Sequence, residues 1–377
     1  MDRLAIGVVG LGTMGLGLVQ VFAAAGHPVL ATDAQSAARD AAMGRLADTL
    51  GRRVAAGKLT LAMMQAALDR ITIANATADL GPATMAIEAI SEDLRSKRAV
   101  IAALEAVLAA DAIIATNTSA LSVTALAAGA ARPERILGLH FFNPAPSMTL
   151  VELVAGVASA PWALAHAEAL IRAAGKVVIR CADRPGFIVN RCARPFYGEA
   201  LAMVEEGRTA SDIDAATQRA GYRLGPLSLI DLIGADINLA ATESVYRGMG
   251  GHPRYHPFAS LQEQVAKGAL GRKAGRGFVF PNHVGDAPAD ADAIVLRIEA
   301  VLANEAASLI DEGAVDADSI DMAMRLGLNF PRGPIEAARA HGVAKVIAVL
   351  ADLAARAPAH LKGRYDASPA LHGMART

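Results

Sequence analysis

The sequence predicts an α/β domain built on a parallel sheet, followed by an all-α region of two tandem helical units. Short continuous apolar runs, typical of buried parallel strands, alternate with helical stretches as far as residue 180. One such stretch, Gln35–Leu68, has a continuous helical pattern. Beyond a break at Asp183–Gly186 every periodic segment is helical, including Leu227–Arg247.

Composition limits the classes of function. A length of 377 residues suggests about two or three domains, and 53% hydrophobic with 19% charged residues allows large buried cores. A net charge of −1 and 4% aromatic residues favour neither a nucleic acid nor an anionic membrane as partner. Two cysteines are too few for a disulfide framework, and no cluster has metal-ligand spacing, so no metal is predicted. Since neither a leader nor a membrane-spanning apolar run is seen, we expect a cytoplasmic protein.

A glycine motif follows the first predicted strand. The apolar run Leu4–Val9 leads into G-x-G-x-x-G, which opens a helix, and a second strand ends at Asp33. Gly10 allows the tight turn, Gly12 lets the backbone approach a pyrophosphate, and Gly15 allows close helix–strand packing. A carboxylate at position 33 can bind the adenosine ribose, which favours NAD over NADP. The pattern predicts a Rossmann-type domain with these NAD contacts: Gly10, Gly12, Thr13, Met14, Gly15 and Asp33.

The stretch from Arg135 to Glu152 contains the strongest catalytic candidates. An apolar run ends on His140, a Pro-rich turn with Asn143 follows, and a second extended segment ends on Glu152. The turn would bring His140 and Glu152 together. A carboxylate fixes the tautomer of a histidine and stabilises its imidazolium, which gives a base near pH 7. A core histidine with an incidental glutamate neighbour is the alternative.

Other predicted strand ends also carry polar side chains. Asn117 to Ser119 follow one buried strand, and Glu92 and Lys97 begin the helix after another. Ligands bind at the carboxyl ends of parallel strands, so these residues line the predicted cofactor cleft unless Glu92 and Lys97 form a solvated surface pair. A basic group fits phosphate binding or a solvated helix face equally well: Arg52, Arg53 and Lys58.

The helical region repeats itself. Glu199-Ala200 recurs as Glu305-Ala306 and Gly225-Pro226 as Gly333-Pro334, at a spacing of roughly 106 to 108 residues that indicates an internal duplication. A stretch rich in Gly, Pro and Asp, residues 282–292, has the composition of a linker, and the tail after residue 355 carries no clear pattern. We therefore predict three domains, at residues 1–184, 185–281 and 293–377.

Five motifs together carry a resemblance to a known family: GLGTMG, EAISEDLRSK, TNTSALS, LGLHFFNPAPSMTLVELV and DRPGFIVNR. The chain resembles the 3-hydroxyacyl-CoA dehydrogenases, which oxidise (S)-3-hydroxyacyl-CoA to 3-ketoacyl-CoA with NAD. The likeness covers residues 4–280, and the second helical unit extends it to about residue 356.

The resemblance implies roles for individual residues. It places the catalytic base on His140 and its partner on Glu152, and it implies that Ser119 and Asn190 contact the substrate. Asn143 matches a residue that holds the thioester side or the cofactor amide. The following cofactor-side residues are also implied: Glu92, Lys97 and Asn117. Lys58 is the candidate for the phosphates of CoA.

Substrate choice stays open at this level. Ser147 stands where the family usually has an aliphatic residue, and Gly-Phe-Val-Phe replaces an aromatic ending, so acyl-chain preference is in doubt. The duplicated helical unit is similar to that of enzymes acting on 3-hydroxyadipyl-CoA, and 3-hydroxybutyryl-CoA is the other candidate. Two alternatives are a β-hydroxyacid dehydrogenase with a catalytic lysine and a non-catalytic NAD-binding member of the family.

The duplication also bears on assembly. In family members with one helical unit, that unit resembles a dimerisation module with a self-complementary, two-fold interface. A second copy in the same chain can supply the partner surface internally. We therefore expect an internal pseudo-dimer of residues 186–280 and 294–355 with one active site per chain, and any further homo-oligomer would use a different surface.

Overall fold

A computed structural model of the chain describes residues 4–376, which fall into two compact units that divide after Arg184. We call them the N-terminal unit and the C-terminal unit. None of the helices within residues 4–376 is long and apolar enough to cross a membrane.

The N-terminal unit is built on one sheet of eight strands in the order β3-β2-β1-β4-β5-β6-β7-β8. All neighbouring strands pair in parallel except β6 and β7, which are antiparallel. The predicted α/β fold class of this unit is therefore confirmed. The strands are β1 (Ile6–Val9), β2 (Val29–Thr32), β3 (Ile71–Ile73), β4 (Met85–Glu88), β5 (Ile113–Thr116), β6 (Ile136–Phe141), β7 (Leu150–Ala155) and β8 (Val177–Ala182).

Both faces of this sheet are covered, which explains why its strands are apolar at most positions. Val8 belongs to one buried cluster and Val9 to another, and Ile113 and Ile114 divide in the same way. Successive side chains of a strand point to opposite faces, so a sheet buried on both faces needs apolar residues at each position. The helices of the unit are α1 (Thr13–Ala24), α2 (Ser36–Ala55), α3 (Leu61–Leu68), α4 (Leu94–Val107), α5 (Val123–Ala127) and α6 (Pro161–Ala173).

Two predicted helical segments are each interrupted. The stretch Gln35–Leu68 forms α2 and α3, separated by a turn in which Gly57 has a φ of +68°. The segment Leu227–Arg247 is broken at Gly234, whose φ is +110°. A side chain at Gly234 would also crowd Asp236 and Lys273. Both segments are helical as predicted, but the sequence did not indicate the breaks, because a single glycine does not by itself end a helix.

The C-terminal unit is entirely helical, as predicted. The helices of the first copy are α7 (Val189–Glu205), α8 (Ala210–Arg219), α9 (Pro226–Ile233), α10 (Ala235–Gly248) and α11 (Ala259–Ala266). Those of the second copy are α12 (Ala291–Asp311), α13 (Ala317–Leu328), α14 (Pro334–His341), α15 (Val343–Arg356) and α16 (Pro369–Met374). The long helices α7 and α12 start the two copies and pack against each other.

Reciprocal ion pairs join α7 and α12. Arg191 of the first copy pairs with Glu305 (2.5 Å) and Glu312 (2.8 Å) of the second. Arg297, at the matching position of the second copy, pairs with Glu199 (2.7 Å) and with Glu206 (2.6 Å). Each copy therefore offers its partner the same arginine and the same two glutamates. This exchange of equivalent contacts is the property of a two-fold interface.

The tail, which has no clear sequence pattern, contacts the first copy. Tyr365 donates its hydroxyl hydrogen to Glu199 at 3.1 Å, and the side chain of Arg364 pairs with the same carboxylate at 3.2 Å. The first copy has the equivalent pair, since Arg254 and Tyr255 both contact Glu305. The missed signal is the dipeptide Arg-Tyr, which recurs at 364–365 without the helical periodicity of its neighbours.

Candidate active site

The β6–β7 hairpin holds the two catalytic candidates side by side. His140 and Glu152 are register partners on adjacent antiparallel strands. The distance from His140 Nδ1 to Glu152 Oε2 is 2.6 Å, Glu152 is fully buried and His140 is 6% exposed. The predicted meeting of the two side chains is therefore confirmed. When Nδ1–H donates to the carboxylate, Nε2 is the basic nitrogen of the neutral ring.

A buried lysine stabilises the turn between these strands. Lys176 Nζ donates to the carbonyl oxygens of Ala145 (2.6 Å) and Met148 (2.7 Å). Burial lowers the pKa of Lys176 below its usual range. The sequence analysis missed this residue because its position, just before β8, is remote from the turn along the chain. Its contacts fix the path of the residues that follow His140.

The end of β5 is anchored by a carboxylate from the neighbouring strand end. One oxygen of Glu92, Oε1, accepts from Thr118 Oγ1 (2.6 Å) and from the backbone N–H groups of Ser119 (2.9 Å) and Ala120 (3.0 Å). Burial would raise the pKa of Glu92, but the Thr118 hydrogen bond, the charge of Lys97 and the two backbone donors hold it below its ordinary value. Glu92 therefore positions Ser119.

Lys97 is fully buried within a network of acidic groups. Its ammonium contacts both oxygens of Glu88 (2.8 and 3.0 Å) and lies 3.3 Å from Glu92 Oε2. Glu88 also accepts from Thr116 Oγ1 at 2.7 Å. The solvated surface pair considered from the sequence is therefore wrong for Lys97. Sequence reasoning missed Glu88 and Thr116, because both stand inside strands whose apolar pattern marks them only as core.

The side chain of Asn117 links β5 to β6. Its Oδ1 accepts from the backbone N–H of Phe141 at 2.9 Å. Asn117 therefore holds the end of β5 beside the residue that follows His140. The predicted candidates therefore lie on or just after three neighbouring strands of one sheet, β5, β6 and β7: Asn117, Ser119, His140 and Glu152.

A cavity of about 850 Å³ opens where the glycine motif meets β2. Its lining includes Gly10, Gly12 and Asp33. The Asp33 carboxylate accepts from the backbone N–H of Leu11 (2.8 Å) and of Gln35 (2.9 Å), and each oxygen keeps a lone pair for a ribose hydroxyl. Sequence reasoning missed further lining residues, which come from α2 and from the ends of β3 and β4: Arg39, Asn75, Ala76, Thr77, Ala89, Ile90 and Ser91.

The glycines of the motif fit close contact with a dinucleotide. Gly10 has a φ of +103°, and a side chain there would collide with the backbone of Ala89. A side chain at Gly15 would collide with the carbonyl of Gly10, whereas the space beside Gly12 is open for a ligand. Gly12 is the N-cap of α1, and the first N–H groups of a helix are suited to bind phosphates. Thr13 begins the helix, and Met14 is partly buried against the core.

A second, basic cleft of about 420 Å³ lies on the same unit. It is lined by Arg45, Arg52, Arg53 and Lys58, and by Asn143 from the turn that follows β6. The predicted basic group and Asn143 are thus brought together. Gln20 also lines this cleft, and its buried Oε1 has no hydrogen-bond partner among the described residues.

Asn190 lies in the C-terminal unit, in the first turn of α7. Its backbone oxygen accepts from Arg194 Nε at 3.0 Å. The next residue, Arg191, carries the ion pairs that join the two helical copies. The helix that presents Asn190 is therefore fixed by the interface between the copies.

Comparison with known proteins decides the family. The sequence model of the 3-hydroxyacyl-CoA dehydrogenase NAD binding domain matches residues 5–184, and that of the C-terminal domain matches residues 186–280 and 294–377. The chain belongs to the 3-hydroxyacyl-CoA dehydrogenase family. The resemblance drawn from the motifs is confirmed, and NAD is confirmed as the cofactor of the N-terminal unit.

Individual members of the 3-hydroxyacyl-CoA dehydrogenase family are similar over different shares of the chain. The 3-hydroxyadipyl-CoA dehydrogenase of Escherichia coli (strain K12) is 43% identical over 72% of this chain, which spans 58% of that relative. A 3-hydroxybutyryl-CoA dehydrogenase of Mycobacterium tuberculosis is 38% identical over 72% of this chain and 96% of its own length. The crystal structure of 3-hydroxybutyryl-CoA dehydrogenase from Escherichia coli K12 matches with a TM-score of 0.91, at 31% identity, over 100% of this chain and 99% of that one.

Proposed function

We propose that the chain catalyses the NAD-dependent oxidation of (S)-3-hydroxyacyl-CoA to 3-ketoacyl-CoA. The observation that carries this proposal is the buried His140–Glu152 pair at 2.6 Å, on the sheet that also carries the dinucleotide motif. The reverse reaction tests this proposal: reduction of acetoacetyl-CoA with NADH is monitored through the decrease in NADH absorbance. An absence of turnover with any 3-ketoacyl-CoA would contradict it and favour a non-catalytic NAD-binding protein.

In this proposal His140 takes the proton from the substrate hydroxyl while hydride leaves C3. Glu152 stabilises the resulting imidazolium. Bound NAD supplies the hydride acceptor. Ser119 and Asn190 hydrogen-bond the reacting oxygen and so fix its orientation. The support for Ser119 is its anchoring by Glu92, and the role of Asn190 rests on the family motif alone.

We assign the remaining cofactor-side residues by the same reasoning. Glu92 faces the nicotinamide side, and Lys97 acts with it, because its ammonium contacts Glu88 and Glu92 rather than solvent. Asn117 shapes the same strand end, and Asn143 holds the thioester or the cofactor amide. The glycine motif and Asp33 bind the pyrophosphate and the adenosine ribose.

We infer that the basic cleft binds the phosphates of CoA. Lys58 is exposed and shares this cleft with three arginines and with Asn143, which lies three residues beyond His140 along the chain. Arginine and lysine clusters bind phosphate through charge-assisted hydrogen bonds. The acyl group is 3-hydroxybutyryl or 3-hydroxyadipyl, as in the relatives named above, and a cytoplasmic location suits both.

Replacing Asp33 should change the choice of cofactor. An ionised carboxylate beside the ribose repels the 2′-phosphate of NADP, so Asp33→Ser should lower the NAD to NADP ratio of kcat/KM by roughly 10-fold or more. Steady-state rates with the two cofactors measure this ratio. Asp40→Ser, an exposed aspartate on α2, is the matched control and should leave it unchanged. A wild-type enzyme that prefers NADPH would rule out the role of Asp33.

We also propose three domains, at residues 1–184, 185–281 and 293–377, with the last two forming an internal pseudo-dimer. The reciprocal pairs of Arg191 and Arg297 support it, since equivalent residues exchange equivalent contacts. The second copy has no equivalent of the Pro-Gly-Phe-Ile-Val-Asn-Arg segment, so it supplies no counterpart of Asn190. One active site per chain follows, and a further homo-oligomer would use another surface.

A further inference from the structure

One buried arginine of the C-terminal unit has no acidic partner. Arg194 lies on α7 and is 6% exposed. All its hydrogen bonds go to neutral oxygens: Nε donates to Asn190 O (3.0 Å), and Nη1 donates to Asn238 O (3.2 Å) and Thr242 Oγ1 (3.0 Å). Within the described residues no carboxylate pairs with it. Arg191, on the same helix, is ion-paired twice.

This difference is energetically significant. A buried charge is costly unless an opposite charge compensates it. Burial lowers the pKa of Arg194, and only the nearby Tyr197 opposes that effect. The guanidinium lies 5.0 Å from the centre of the Tyr197 ring, a cation–π contact that is weaker than an ion pair. The site therefore holds a positive charge that the chain itself does not neutralise.

A second polar group in the same cluster also lacks a partner. Asn238 is 2% exposed, and neither its Oδ1 nor its Nδ2 makes a hydrogen bond to a described residue. Buried polar side chains are nearly always hydrogen-bonded, so an amide with both ends unsatisfied indicates that a partner is absent. A guanidinium and an amide N–H group together are the donors that bind a carboxylate.

An aspartate that is close to Asn238 along α10 does not fill this role. Asp236 pairs with Lys273 at 2.6 Å. It lies two residues before Asn238 on α10, and residues at that spacing do not face each other on a helix. An added carboxylate would therefore meet an uncompensated cation rather than a neutralised one.

We propose that Arg194 and Asn238 form a subsite for a carboxylate at the far end of the acyl chain, so that the enzyme prefers dicarboxylic 3-hydroxyacyl-CoA substrates. The inference rests on the proposed function, in which Asn190 contacts the reacting oxygen. Arg194 follows Asn190 by about one helical turn, or about 5.4 Å. That length matches the few carbon–carbon bonds between C3 and the terminal carboxylate of an adipyl-type chain. A substrate without the carboxylate leaves both groups unsatisfied, and sites of this kind discriminate strongly.

The test compares 3-oxoadipyl-CoA with acetoacetyl-CoA in NADH oxidation by the full-length enzyme. We expect the wild type to favour the dicarboxylic thioester in kcat/KM. Arg194→Met should lower that preference by about 10- to 100-fold, since hydrogen bonds to a charged group carry it, with acetoacetyl-CoA little affected. Asn238→Asp should do the same, because the new carboxylate pairs with Arg194. Arg247→Met removes an exposed cation from α10 and serves as the control, with no change in preference.

The outcomes separate the subsite from the overall function. His140-dependent turnover with no preference for the dicarboxylic thioester would overturn the subsite and leave the proposed function standing. A loss in Arg194→Met that is equal for the two substrates would also overturn the subsite. No turnover of either thioester by the wild type would overturn both. Thermal unfolding of each variant checks the fold, and if Arg194→Met is unfolded, Asn238→Asp decides the question.

Discussion

His140→Gln should lower kcat by a factor on the order of 10² to 10⁴ and leave the affinity for NADH nearly unchanged. Glutamine keeps a polar side chain of similar reach but can neither accept the substrate proton during oxidation nor donate a proton during reduction at neutral pH. The dinucleotide cavity is lined by the glycine motif and by the ends of β2 and β4, and His140 does not line it. Steady-state reduction of acetoacetyl-CoA gives kcat, and fluorescence titration with NADH gives the dissociation constant.

Two further variants sharpen this prediction. His166→Gln changes an exposed histidine of α6 and should have no effect on turnover. Glu152→Gln should also lower kcat and should shift the pH–rate profile, because the imidazolium loses a neighbouring negative charge. Near-normal turnover by His140→Gln would mean that another group takes the proton, and the proposed mechanism would then be wrong.

The sequence predicted the structure correctly where the residues that define a feature are close together along the chain. The glycine motif followed by a helix, and His140 and Glu152 on two strands joined by a short Pro-rich turn, are features of neighbouring residues. Local reasoning therefore predicted the sheet-forming segments of the N-terminal unit and the meeting of the His–Glu pair.

Contacts that depend on how the elements pack together were not predicted, although Lys97 itself was among the candidates. Glu88 and Lys97 contact each other through the packing of α4 on β4, and Lys176 reaches a turn more than twenty residues earlier. A charged residue in an otherwise apolar strand has no evident role in the sequence, because its partner is known only from the structure. The same limit applies to Arg194 and Asn238, which lie on different helices and become conspicuous only when their missing partners are counted.

The interface between the helical copies could be predicted only in part from the sequence. The duplication was visible from repeated Glu-Ala and Gly-Pro motifs, but the exchange of partners between α7 and α12 was not. Breaking a buried ion pair by removing one member costs about 3–5 kcal/mol, a large part of the roughly 5–15 kcal/mol that stabilises a typical domain. The two copies should therefore be inseparable in the folded chain.

Truncation after Phe280 removes the second copy and should convert the protein into a homodimer or an aggregate. The shortened chain loses Glu305 and Glu312, so Arg191 loses both of its carboxylate partners and α7 exposes the face that α12 covered. It still carries Glu199 and Glu206, the residues that pair with Arg297 in the full chain. A second shortened chain can therefore supply them to Arg191 about a true two-fold axis. Sedimentation velocity over a range of concentrations, beside the full-length protein, measures the result.

Two Glu→Gln variants, which remove the same charge, identify the surface through which the shortened chain dimerises. In the shortened chain Glu199→Gln should weaken the dimer, since each copy of Arg191 then faces a neutral amide at the centre of the interface. Glu263→Gln is the control, because that glutamate forms only an exposed pair with Lys267 on α11, and exposed pairs contribute little to stability. A shortened protein that stays monomeric, folded and fully active would show that α12 is not the internal partner of α7.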